Sequence, residues 1–317
     1  MKRILKLLLC ALLIVGITCA LNFAIIPVNY NHIFLHQWKA QYTETDTVVL
    51  GDSLTLRSVQ PSVMDRQMGV CAFNTATAQQ DLPCTYYYLK DILASCPKLR
   101  TAYLGLDYWN FMPKEGGSSV PAALIVLDRL QTLRGKAEFA RHTLTADAGW
   151  NVLFRFRNHV DSVFSAGTNA RSKLSAAYRQ FEAVDAHDYN TDKGYAYSDA
   201  VGTELDIDSH DLTQLSAESL RYYEMILALC RESGVQTRVF QSPYTKERLS
   251  LFKGYGHYRD TVRQIAQENG AQFYDFNAHP LRDTLDDATC FKDAAHLNYT
   301  GSCIFMQWFC GVFAGER

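Results

Sequence analysis

The sequence predicts an α/β domain built on a parallel sheet, with one apolar helix ahead of it. Three observations predict this. Short apolar runs alternate with amphipathic stretches across residues 45–313, which is the signature of strands feeding helices that cover both faces of a sheet. Several of those runs end on small or polar residues, Gly51-Asp52-Ser53 and Asp107 among them, at the strand ends where parallel sheets gather ligands. Residues 7–27 carry no charge at all.

The apolar stretch comes first. Lys2, Arg3 and Lys6 precede 21 uncharged residues. At about 1.5 Å per residue, such a helix just crosses a hydrocarbon core of roughly 30 Å. The basic residues before it place the N-terminus in the cytoplasm and the remainder outside. A cleaved signal peptide is the rival reading. The apolar run continues past Thr18, Cys19 and Ala20 through Ala24, Ile25 and Ile26, which favours an uncleaved, single-pass anchor over 1–27. Residues 28–44 read as a polar, aromatic-rich stem.

The domain follows over 45–314. Thr47-Val48-Val49-Leu50 is a short buried strand, and Val70-Cys71-Ala72-Phe73-Asn74 a second. Residues 82–95 form a helix with Tyr86, Leu89 and Leu93 on one stripe. Thr101 to Leu106 is a third strand, and 120–134 a helix. The pattern weakens over about 137–215, which reads as a largely helical insertion serving as a lid or partner surface. Order returns at 217–232, where Leu220, Tyr223, Leu227 and Cys230 recur at helical spacing before a Gly234 C-cap. Strands over 235–240 and 271–276 bracket a helix over 256–269, and the last helix covers 299–313.

Composition narrows the function. The 317 residues hold 31 Lys+Arg against 33 Asp+Glu, so nothing suggests a nucleic-acid partner held by bulk charge. Seven of the nine cysteines lie beyond the apolar stretch and none forms CxxC, which disfavours zinc. Either a disulfide or two, or buried thiols, fits them. The acids of Asp206-Ile207-Asp208-Ser209-His210-Asp211 lack the glycine and glutamate of a calcium loop and read as solvated, like Asp185-Ala186-His187-Asp188. Tyr86-Tyr87-Tyr88 and Tyr108-Trp109 are candidates to stack on sugars, but their spacing also suits core and rim packing, and for the triple tyrosine the core reading leads. No metal or cofactor is expected.

The chemistry rests on two motifs. Gly51-Asp52-Ser53-Leu54 follows the first strand, so a serine hydroxyl and its own amide stand at the sheet rim, as an acyl-transferring nucleophile requires. Near the other end stands Asp293-Ala294-Ala295-His296-Leu297-Asn298. A serine needs a base to take its proton, and that histidine needs an orienting partner on its other nitrogen. His296 and Asp293, three residues apart, fill those roles. Asp52 or Ser53 as a plain helix cap, and Asp293 as another, is the bland alternative. Asn298-Tyr299-Thr300 matches a glycosylation sequon, but a glycan beside His296 would obstruct the site.

With GDSL after strand one and D-x-x-H-L-N before the last helix, the chain resembles the SGNH (GDSL) hydrolase superfamily over 45–313. The resemblance implies a flavodoxin-like three-layer α/β/α sandwich, with Ser53 as nucleophile, His296 as base and Asp293 as its orienter. It places Ala78, flanked by Gln79, where the family has an oxyanion-hole glycine. At the family's oxyanion asparagine stands Asp107, whose carboxylate would repel an oxyanion, and Asn110 is the nearby substitute. The anchor, insertion and altered third block resemble a branch that includes the D-alanyl-lipoteichoic acid biosynthesis protein and relatives accompanying membrane-bound O-acyltransferases. That branch implies a serine esterase or acyltransferase acting on small acyl groups of a cell-envelope polysaccharide or teichoic-acid-like polymer, with a membrane-bound O-acyltransferase as partner. The alternative is a non-catalytic binding or assembly module on the same fold.

Overall fold

The computed structural model describes residues 2–28, 31–113, 118–144, 146–182, 190–202 and 210–314. Five strands form the central sheet: β1 (Thr47–Leu50), β2 (Ala72–Asn74), β3 (Thr101–Leu106), β4 (Gln236–Gln241) and β5 (Gln272–Asp275). All neighbours are parallel, in the order β2-β1-β3-β4-β5. The chain steps from β1 outward to β2 and then returns to β3 on the other side. The point where direction reverses lies between β1 and β3, where open α/β sheets place their ligands.

Helices cover both faces. In chain order, α1 (Lys2–Ile25) precedes the sheet, and the main helices packed around it are α2 (Asn31–Gln41), α3 (Ser53–Ser58), α4 (Pro61–Met68), α5 (Leu82–Ser95), α6 (Val120–Arg129), α7 (Leu133–Thr143), α8 (Ala217–Glu232), α9 (Tyr255–Glu268) and α10 (Tyr299–Ala314). Val48, Val49 and Leu50 are all fully buried, because alternate side chains enter opposite layers. Val48 and Leu50 join a core with α2, α5, α6, α8 and α9. Val49 joins another with α4 and α10, built largely from Phe305, Phe309 and Phe313. All nine cysteines are free thiols.

Three expectations need correction. The stem is helical and belongs to the domain: Phe34 and Trp38 of α2 are fully buried in the core. The helix expected over 120–134 breaks at 130–132, because Asp91 of α5 accepts from the Gln131 amide (2.6 Å) and the Thr132 amide (3.0 Å), and Thr132 caps α7. The insertion is also shorter at its start, since α7 packs Phe139 into the core. Residues 154–182 contribute nothing to any core cluster and fold as short helical pieces against the end of α1. The acidic stretches at 185–188 and 206–209 lie outside the described residues.

α1 is apolar throughout, with a mean hydropathy of 2.7 over its best window and none of that window buried in the fold. It is long and apolar enough to cross a membrane.

Candidate active site

β1 ends at Leu50, and the turn Gly51-Asp52 leads directly into α3. Asp52 is its N-cap, accepting from the Leu54 amide at 3.1 Å. Close packing of this turn needs glycine at two positions. Gly51 has φ +151°, and a Cβ there would stand 2.4 Å from Thr55 Oγ1. A Cβ on Gly105 of the adjacent β3 would stand 1.9 Å from the same oxygen. Two glycines thus let α3 settle against the sheet and hold Ser53 at its rim.

Ser53 Oγ is 2.8 Å from His296 Nε2. His296 Nδ1 lies 2.9 Å from both oxygens of Asp293. The Asp293 carboxylate also accepts from the amides of Ala295 (2.9 Å) and His296 (2.8 Å). Burial alone would raise the Asp293 carboxyl, but the His296 ring and these two amides hold it well below the usual carboxylate range. Both side chains are only partly buried, so the imidazole edge is open to a reactant.

The loop carrying the pair is fixed from several sides. Phe291 and Leu297 bridge, and the Lys292 amide donates to His296 O at 2.8 Å. Thr245, just past β4, donates its hydroxyl to Ala294 O at 2.8 Å. Asn298 caps the entry to α10 through the Gly301 amide (3.0 Å), and its own amide donates to Thr289 O (2.8 Å) and Ala200 O (3.2 Å). Buried and engaged, Asn298 is no glycan acceptor.

Ala78 and Gln79 form the turn after β2, beside the Ser53 turn, where the Thr77 amide donates to Gly51 O at 3.4 Å. Gln79 is exposed, has φ +57° and accepts from Ser119. Asn110 departs from its expected role. Its side-chain amide donates to Asp52 Oδ2 at 2.9 Å in the interior, so it braces the N-cap rather than lining the rim as an oxyanion donor.

Asp107 stands at the end of β3, within the electrostatic reach of His296. Burial pushes its carboxyl up, against the opposing pull of the Tyr244 hydroxyl, the Trp109 amide, Arg248 and His296. Tyr244 donates to Asp107 Oδ1 at 2.6 Å. Arg248 donates to the Tyr108 hydroxyl and lies 3.4 Å from His210 Nε2. Burial, with Asp107 beside it, pushes the Tyr108 hydroxyl up to about 12.

Sequence reasoning missed Tyr244, Thr245, Arg248 and Arg129. The first two lie just past β4, so the strand-end rule alone singles out their segment. Arg129 has no such signal. Its fully buried guanidinium donates to Thr75 O and Ala76 O, each at 3.0 Å, and to Asn31 Oδ1 at 2.8 Å. It ties the loop that carries Ala78 to α2. Of the aromatics singled out, Tyr87, Tyr88 and Tyr108 are core residues.

Compared with protein-family models and with curated proteins, the sequence matches none.

Proposed function

We propose that the chain is a membrane-tethered serine acyl esterase or acyltransferase of the SGNH (GDSL) type, with its domain outside the cytoplasm, acting on small acyl groups of a cell-envelope polymer. The observation that carries the reading is the unbroken relay from Ser53 Oγ to His296 to Asp293. The sheet order supports the finer fold assignment, because counting the five sheet strands in chain order gives 2-1-3-4-5, the flavodoxin-like order. Helical cores on both faces agree with a three-layer sandwich.

In this mechanism, His296 Nε2 takes the Ser53 proton as Oγ attacks the acyl carbonyl. Asp293 holds the ring in the tautomer that leaves Nε2 free to accept, and stabilises the imidazolium that forms. The amides of Ser53 and Ala78 donate to the tetrahedral oxyanion. His296 returns the proton to the departing alcohol. The same nitrogen then activates water, giving hydrolysis, or a polymer hydroxyl, giving transfer. The partners proposed are the acylated polymer and a membrane-bound O-acyltransferase.

A second reading is a non-catalytic binding or assembly module on this fold. Asp107 favours it, since a carboxylate near the rim opposes an oxyanion. Labelling with a fluorophosphonate separates the two. Wild-type chain labelled covalently, with Ser53→Ala unlabelled, supports the esterase. Full labelling of Ser53→Ala would remove Ser53 from its role, and an unlabelled wild type would favour the binding module.

A further inference from the structure

The end of α1 is not left bare. Lys173 Nζ donates to Phe23 O at 2.6 Å and to Ile26 O, and Asn169 Nδ2 donates to Ile25 O at 2.9 Å. The Phe156 amide donates to Asn22 Oδ1 at 3.0 Å. Two of the carbonyls that a helix leaves open in its last turn, with that of Ile26 just beyond it, are thus satisfied by one mid-chain segment, residues 155–173.

That segment and the residue after it expose four large apolar side chains. Phe164 is 100% exposed, Val160 65%, Val163 43% and Leu174 65%. Arg155–Ser165 is a 3₁₀ helix kinked at His159, so Val160 and Val163, three residues apart, line up on one face, with Phe164 beside them. Exposed basic residues flank them at Arg157 and Arg171. Across 149–182 there are five Lys+Arg against two Asp+Glu. An apolar stripe with a cationic surround is the composition of a helix that lies in a membrane interface.

We propose that residues 155–174 form an interfacial foot, seated in the headgroup layer of the bilayer that α1 crosses, with Val160, Val163, Phe164 and Leu174 dipping toward the acyl chains. The proposal rests on the reading of α1 as a membrane span. Continuity names the occupant. The 23 residues of Arg3–Ile25 rise about 35 Å at roughly 1.5 Å each, so residues 22–26 emerge at the far interface of a core about 30 Å thick. The foot is hydrogen-bonded to those same residues, so it lies at headgroup depth. There the last carbonyls of a span need donors from protein or water, and Lys173 and Asn169 supply them. A second function follows: the foot fixes the angle at which α2, and the domain behind it, leaves the bilayer. His32 stacks on Tyr178 at 3.8 Å, and His36 on Phe181 at 3.8 Å, so the residues that directly follow the foot pack on α2.

The test uses the full chain in nanodiscs of phosphatidylcholine and phosphatidylglycerol, with acyl chains brominated near the carbonyl end or unbrominated. Phe164→Trp and Leu174→Trp are compared with Leu281→Trp, an exposed position outside the foot. Tryptophan at 164 and 174 should emit at shorter wavelength and lose about half its added intensity to bromine, as burial of roughly 5–10 Å predicts, while that at 281 stays unquenched. Extraction with alkaline carbonate reads the anchor separately. A chain that resists extraction while 164 and 174 behave like 281 overturns the foot and leaves the anchor standing. A chain that is extracted, with 164 and 174 unquenched, overturns both. Blue-shifted but unquenched emission means that a second copy covers the stripe, which also overturns the foot.

Discussion

Ser53 Oγ and His296 Nε2 stand 2.8 Å apart although 243 positions separate them in the chain. The contact is made because β1 ends beside β3, the central strand of the sheet, while the loop before α10 is pinned to Thr245 and to residues 198–202. Residues acting as one unit lose function together. Ser53→Ala and His296→Ala should each lower acyl release from p-nitrophenyl acetate by roughly 10³-fold or more. The double variant should be no slower than either single one. Additive losses would mean that the two side chains do not share a proton.

Asp293 is tested by pH as well as by rate. Asp293→Asn should cost roughly 10³–10⁴-fold in turnover by disturbing the tautomer of His296. The Asp293 carboxyl titrates below its ordinary range in the folded chain. Its stabilisation is therefore full above about pH 4 and fades as pH falls through the lowered value. Thermal melts of wild type and Asp293→Asn should differ at neutral pH and converge on acidification.

Asp107 carries the opposite sign. Burial raises its carboxyl, so its contribution is most favourable below about pH 4 and declines as pH rises through the raised value. Asp107→Asn keeps an acceptor for Tyr244 but removes the charge. The variant should melt above wild type at pH 8, with the difference shrinking toward pH 4. Its esterase rate should rise by about tenfold at pH 8, because the charge opposing the oxyanion is gone. A lower melting temperature at pH 8 would show that attraction to Arg248 outweighs burial.

Arg129→Met should leave the carbonyls of Thr75 and Ala76 without their buried donor. Loss of such hydrogen bonds costs about 3 kcal/mol, measurable by denaturant titration of the full chain in detergent. Fluorophosphonate labelling of Ser53 should slow but persist, since the relay itself is untouched.

Gly105→Ala drives a methyl onto Thr55 Oγ1. It should lower stability by about 1–3 kcal/mol, as overpacking does. Adding Thr55→Ala should restore part of the loss. No restoration would mean that Phe240, whose ring is the next neighbour at 2.9 Å, sets the limit.

Much of this was legible in the chain. The helix expected over 82–95 is Leu82–Ser95, the strand over 101–106 is Thr101–Leu106, and the helix over 217–232 is Ala217–Glu232. Each has strong periodicity and a clear end, and both are local properties. That Ser53, His296 and Asp293 meet was legible for a different reason: the proposed nucleophile, base and orienter need those side-chain types, and the Asp-x-x-His spacing brings two of them together within one loop. By contrast, the break at 130–132 depends on Asp91, some 40 residues earlier, taking two amides that a continuous helix would use.

The amino-acid order by itself determined the alternation of strands and helices, the apolar N-terminal helix and three candidate site side chains, because periodicity and chemical type are written residue by residue. Only the tertiary structure decided their partners. It drew α2 into the core, turned the Asn110 amide to Asp52, set Arg129 beneath the Ala78 loop and laid residues 155–173 against the end of α1. Local pattern says which face of an element must be covered, whereas the group that covers it is chosen by packing among segments far apart in the chain.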